Sequence, residues 1–282
     1  FALADGAPVW ADMHEWAPEE RTHVLSWRLL VAPLMDHLCR VYLPRAAAVT
    51  TVGDEIATLY KARYGVEAQV VRNSTFSQAL KPSPVQEGKI RLVHSGAAVH
   101  GRNIEGMIDV VRQLDDRFSL DLYLVGSAAN RSYLDSLRAR AAGESRIAFR
   151  DPVAPSELPA VLNAYDVGVF WIPPVHTNAR LTLPNKLFDF VQARLAIAVG
   201  PSIEMERIVR RYDLGVVSDS FDAAACAASL EQLDAAAIRR FKENADRAAG
   251  ELSFEHDATT MRAILATLVT ATPDADAGEG LR

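Results

Sequence analysis

Cysteine is almost missing from this chain of 282 residues. The two that occur, Cys39 and Cys226, lie far apart and fit no zinc-ligand spacing. Neither C-x-x-C nor H-E-x-x-H occurs, so no protein-bound metal is indicated. Two remote thiols read as buried side chains in a reducing compartment, and the expected location is cytoplasmic. An excess of positive charge is missing too. With 30 Lys and Arg against 36 Asp and Glu, the net charge is −6, which gives no basis for a nucleic-acid partner. There is no uninterrupted run of 18 apolar residues of the kind a membrane-spanning helix needs. The nearest stretch, 25–43, is broken by Arg28, Asp36, His37 and Arg40. It reads as a core helix, with a peripheral membrane contact as the alternative. No G-x-G-x-x-G occurs in the first β-α turn of the later part of the chain, so the plain dinucleotide fingerprint is not met.

What is present is an ordinary globular composition, 49% hydrophobic and 23% charged, in a chain long enough for one large or two medium domains. The stretch 181–200, LTLPNKLFDFVQARLAIAVG, organises the rest. Leu183, Leu187, Phe190 and Val191 have the spacing of a helix with one face on a core. Pro184 suits the first turn of that helix, where a missing N–H is not felt. Residues 195–199 form a short apolar run closed by Gly200 and Pro201, the pattern of a strand buried on both faces. Lys186 stands in the first turn and Asp189 one turn deeper, on another side of the helix. The free N–H groups and dipole of such a helix start favour an anion. Taken alone, the stretch is better read as an ordinary surface helix with a Lys186–Asp189 pair.

Around it, the chain alternates strand and helix. Expected strands are 90–94, 120–125, 147–149, 167–171, 195–199 and 214–217. Expected helices are 103–114, 132–142, 156–164, 184–193, 204–211, 222–232 and 235–249. Repeated β-α units imply a doubly wound parallel sheet. The prolines and glycine of 74–88 mark the domain boundary. Before it, only about three strands are expected, near 7–12, 46–52 and 69–71, with helices at 20–45 and 54–63. In the turn 95–103, Gly96 lets a ligand phosphate approach the backbone closely. Arg102 at the next helix start opposes the dipole unless an anion is bound there. His14, at the end of the first strand, is either a loop residue with a local hydrogen bond or an active-site histidine able to donate to or accept from a ligand hydroxyl. The loop 172–182 carries Asn178 and Arg180, either within reach of a ligand or part of a mobile loop.

LPNKLFDF, the strand after it and GPSIEMERIV together resemble the nucleotide-sugar segment of retaining glycosyltransferases with the GT-B fold, glycosyltransferase family 4. The resemblance extends from Ala7 to about Val269. It implies two Rossmann-like domains, with residues 1–80 the later half of an acceptor-side domain and 81–253 the nucleotide-sugar domain. Residues 254–282 would be a crossing helix and a disordered tail. Asp189 takes the place of the family's ribose-binding acid, usually Glu. Leu181 stands where the family carries a second Glu, and Phe254 where it carries Trp. Arg102 and Lys186 take the diphosphate places, with Gly96, Pro184 and Asn185 beside the donor and Val153 against the base. D-x-H-E at Asp12–Glu15 resembles the acceptor-side loop and makes His14 the third catalytic candidate.

The activity implied is transfer of a sugar from a nucleotide-diphosphate sugar to the hydroxyl of a glycan, lipid-linked or small-molecule acceptor, with retention and without metal or other cofactor. The alternatives are an epimerase or phosphorylase of the same fold and a non-catalytic sugar-nucleotide-binding subunit. The chain starts at Phe1 rather than Met, and three strands are few for a first domain. Upstream strands or a second chain are therefore expected to complete that sheet.

Overall fold

A computed structural model describes residues 7–21 and 24–270. The expectations for Phe1 and for the tail from Thr272 lie outside the described residues. The chain divides into two compact units. One comprises residues up to 73, 176–181 and those from 255 on; the other comprises 74–175 and 182–254.

The first unit opens with β1 (Trp10–Met13), α1 (Ala32–Tyr42), β2 (Ala48–Thr51), α2 (Asp54–Tyr64) and β3 (Gln69–Val70). The strands are parallel in the order β1-β2-β3, with Trp10 opposite Ala48 and Thr50 opposite Gln69. Among the described residues this sheet has three strands, so β1 and β3 are both edges. Trp16, Cys39, Leu43, Val49, Ile56, Tyr60 and Leu181 form its core. The Trp16 and Tyr60 rings meet edge to face, 5.0 Å between centroids. Helix α2 stops at Gly65, whose left-handed backbone (φ 69°) lets its N–H reach Lys61 O.

The core-helix reading of 25–43 is corrected here. A π-helical turn, Trp27–Val31, runs into α1. Of this stretch only Cys39 and Leu43, near its end, are buried, while Leu25, Leu29 (62% exposed), Leu30 (73%) and Leu34 face outward. Apolar spacing shows that a helix has an apolar face, not that anything lies against it.

The second unit is the expected doubly wound sheet. It comprises β4 (Ile90–Ala97), α3 (Ile104–Gln113), β5 (Phe118–Val125), α4 (Arg131–Ala141), β6 (Ile147–Arg150), α5 (Leu158–Leu162) and β7 (Val167–Phe170). The short α6 (Thr177–Arg180), which belongs to the first unit, follows. Then come α7 (Asn185–Gln192), β8 (Ala196–Val199), α8 (Ile203–Arg211), β9 (Gly215–Val217), α9 (Ala223–Glu231) and α10 (Ala235–Ala248). Helix α11 (Phe254–Thr270) returns to the first unit. The six strands are parallel in the order β6-β5-β4-β7-β8-β9. Strands β7 and β8 are buried at every residue, as their unbroken apolar runs require. Asp166, fully buried before β7, accepts from the Arg91 backbone and guanidinium at 2.9 Å. Its role is structural.

The order reverses between β4 and β7. Beyond the carboxyl ends of the strands at such a switch point an open α/β sheet has its ligand crevice. Helix α7 is set there by close packing on β7, since a Cβ on Gly168 would lie 2.5 Å from the Phe190 ring. Leu183, Leu187, Phe190 and Val191 are all buried, the stripe read from the sequence. Pro184 is corrected by one position. It is the extended N-cap (φ −78°, ψ 149°) and the helix begins at Asn185.

Candidate functional site

Strand β4 runs out through His94, Ser95 and Gly96 at the switch point. Gly96 has φ 145°, a backbone that side chains rarely adopt. A Cβ there would lie 2.6 Å from Lys186 Nζ. The glycine is what lets the lysine lie across the strand end. Lys186, in the first turn of α7, also sits over the Phe170 ring, 5.0 Å from its centroid. It has no hydrogen bond or ion pair among the described residues, so the surface Lys186–Asp189 pair is not what forms. Burial lowers its pKa to about 8, the charge of Arg102 adds to the shift, and Asp189 opposes it.

His94 is 1% exposed and its ring stacks parallel to Phe170 at 5.9 Å. Its Nδ1 bonds the Val169 carbonyl at 3.0 Å, so that nitrogen carries the hydrogen. Burial above all, then Lys186 and Arg102, pushes its pKa down to about 3, so the ring is neutral. A neutral imidazole beside two cations leaves the pocket short of negative charge. Arg102 is exposed, and the residue after it, Asn103, is the left-handed N-cap of α3 (φ 55°). The Asn103 amide donates to Trp171 O at 3.0 Å, tying the start of α3 to the end of β7. Gly106 leaves room for that side chain, since a Cβ there would meet it at 2.5 Å.

Asp189 lies one turn beyond Lys186. Burial raises its pKa, against the Thr75 hydroxyl and Lys186, which lower it. Thr75 Oγ1 donates to its Oδ1 at 2.5 Å. Asn185 is exposed and Pro184 half-buried at the mouth of the helix. Val153 is half-buried in the loop after β6, two strands away from β4, and is not among the groups gathered at Lys186.

His14 belongs to the first unit and follows β1 directly. Its Nε2 is 2.9 Å from Asp12 Oδ2. Asp12 is held in turn by Thr50 Oγ1 at 2.7 Å, and Thr50 by Trp10 Nε1 at 2.9 Å. Trp10, Thr50 and Asp12 thus fix an exposed imidazole at a strand end. Asn178 is not a free ligand-facing amide. Its Oδ1 accepts from Trp16 N at 2.9 Å and its Nδ2 donates to Glu15 Oε2 at 3.1 Å. The loop that carries it holds the one-turn α6. Leu181 is 2% exposed in the core of the first unit.

Sequence reasoning missed His94, Asp12 and Thr75. Only Asp12 left a local signal, its spacing from His14. Among the described residues no group of three or more His, Cys, Asp or Glu side chains could hold a metal ion. No helix there is long and apolar enough to cross a membrane.

Solved structures share this architecture. Anabaena HepE, determined with UDP and glucose, superposes with a TM-score of 0.73 at 13% identity over 92% of this chain and 72% of that one. This is the GT-B fold. An α,α-trehalose-phosphate synthase (UDP-forming) from Burkholderia vietnamiensis matches with a TM-score of 0.69 and 12% identity, over 95% of this chain and 71% of that one. Staphylococcus aureus TarM, as a G117R mutant with fondaparinux, α-GlcNAc-glycerol and UDP, matches at 0.70 and 10% identity over 92% of this chain. The chain spans half the length of TarM. No family model and no curated protein matches the sequence.

Proposed function

We propose that this GT-B chain is a glycosyltransferase that takes a sugar from a nucleotide-diphosphate donor to an acceptor hydroxyl, with retention and without a metal ion. The observation that carries the reading is Lys186, a cation with no carboxylate partner, lying across Gly96 at the switch point of the second sheet. Solved proteins of this fold hold UDP. Cleavage at the anomeric carbon leaves its electron pair on the diphosphate. Lys186, Arg102 and the first amides of α7 would stabilise that charge, and preorganised groups of this kind supply roughly 3–4 kcal/mol each. Asp189 would take the ribose hydroxyls, Gly96 and Asn185 would lie at the phosphates with Pro184 beside the donor, and Val153 would lie against the base. His14, held by Asp12, would bond a sugar hydroxyl.

The test is a thermal-shift screen of UDP-, GDP- and ADP-sugars, followed by a transfer assay with glycan, lipid-linked and small-molecule acceptors. The anomeric configuration of the product would be read by NMR. Absence of a shift with every donor would overturn the reading. Product formed without acceptor would mark an epimerase or a phosphorylase.

A second reading, a non-catalytic sugar-nucleotide-binding subunit, is favoured by Leu181, which puts a buried methyl-bearing side chain where the family has a carboxylate. Donor binding with no hydrolysis or transfer over long incubation would select it.

A further inference from the structure

After β3 the chain crosses into the second unit without regular secondary structure, and residues 75–78 of it are fastened to groups of that unit. Thr75 O accepts the Phe254 N–H at 3.0 Å, and the Phe76 ring packs on Phe254 with centroids 4.6 Å apart. Gln78 N donates to Gln192 Oε1 at 3.1 Å. Gln192 Nε2 is itself anchored on Ala249 O and Leu252 O at 2.8 and 3.0 Å. Arg194 holds Gln78 O at 2.9 Å. The backbone at Thr75 and just beyond it is thereby pinned, and a β-branched side chain there has a restricted χ1.

From that position the Thr75 hydroxyl donates to Asp189 Oδ1 at 2.5 Å. Asp189 Oδ2 has no partner among the described residues. A carboxylate is an acceptor only, with about four lone-pair sites on its two oxygens. The threonine occupies one and fixes the plane of the group. The other three stay open, an arrangement that fits two neighbouring hydroxyls donating together. Thr75 also favours the ionised form against burial, which is the form able to accept from both.

We propose that Thr75 is a positioning residue for recognition of a ribose cis-diol by Asp189. The proposal rests on the donor-binding reading above and adds to it how a carboxylate one methylene shorter than glutamate is held for that task. A nucleotide lacking the 2′-hydroxyl presents one donor instead of two, so the device separates ribonucleotides from deoxyribonucleotides.

The full chain and its Thr75→Val and Thr75→Ser variants are titrated calorimetrically with UDP, GDP and ADP and with their 2′-deoxy forms. Melting points are recorded alongside. For the nucleotide that binds, the wild type should prefer the ribo form, and Thr75→Val should lose about tenfold in affinity for it. That variant should lose much less for the 2′-deoxy form, so that the ratio between the two falls. Thr75→Ser, which keeps the hydroxyl, should retain the ratio. A structural role alone would lower the melting point and leave the ratio unchanged, and an unchanged ratio in Thr75→Val overturns the proposal. Equal wild-type affinity for ribo and deoxy forms also overturns it while leaving the donor-site reading intact. A wild type that binds none of the six nucleotides overturns both.

Discussion

The Lys186 ammonium lies over the Phe170 ring, and the same ring stacks on His94. The cation thus rests on an aromatic face whose ring also stacks with a neutral imidazole, and it has no ion pair with a carboxylate among the described residues. A charge left in this state is attracted to an incoming anion by more than a surface lysine would be, because less water screens it. Lys186→Ala should therefore weaken UDP-type ligands by tenfold or more while leaving the melting point of the unliganded protein unchanged or higher. Calorimetry and thermal unfolding read the two effects separately.

The pH dependence follows from the same residue. Its pKa in the unliganded protein is lowered to about 8. A bound anion favours the charged form and raises that value, so binding above pH 8 must take up a proton. Affinity should be flat with respect to this group below pH 8. It should fall as pH rises above 8, by up to tenfold per unit. Dissociation constants at pH 7, 8 and 9 give the slope, and Lys186→Arg, charged throughout, should flatten it.

Asp189→Ala should weaken the donor by roughly 1.5–3 kcal/mol, the worth of hydrogen bonds to a charged group. The protein should stay folded, because the side chain lost is a half-buried acceptor with a single hydroxyl partner, Thr75, that is itself half-buried. Unchanged donor affinity would remove Asp189 from the site.

Gly215 and Leu30 make a paired test of the packing. A Cβ on Gly215 would lie 1.9 Å from the Ile197 carbonyl oxygen of the neighbouring strand, a backbone atom that cannot turn aside. Gly215→Ala should cost at least about 1–3 kcal/mol by denaturant unfolding. Leu30→Glu, at an exposed position, should change stability by no more than about 0.5 kcal/mol.

The second sheet was legible because β7 and β8 are unbroken apolar runs and β5 alternates buried and half-buried residues, and the α7 stripe because its period is that of a helix. The same logic misjudged 25–43, where the period is equally good but only Cys39 and Leu43 find a core. Lys186, Gly96 and Arg102 could be placed from their positions at strand and helix ends. His94 could not, since a histidine inside an apolar strand looks the same whether it is core or pocket floor. Thr75 was beyond reach for a different reason. Its partner is 114 positions away, and nothing local to either residue signals the pairing.

The first unit is assembled from three separated pieces of chain. Within it the Arg72 guanidinium donates to Asp257 at 2.8 Å, a contact that closes 185 positions of sequence. A ribosome delivers the pieces in order, and the second unit is finished before α11 emerges. Within this sequence, the contact between Arg72 and α11 therefore forms only after all the strands of the second unit have emerged. On refolding, that contact must still close 185 positions of sequence, so pulse-labelled hydrogen exchange should protect β4 and β7 before β1 and β2.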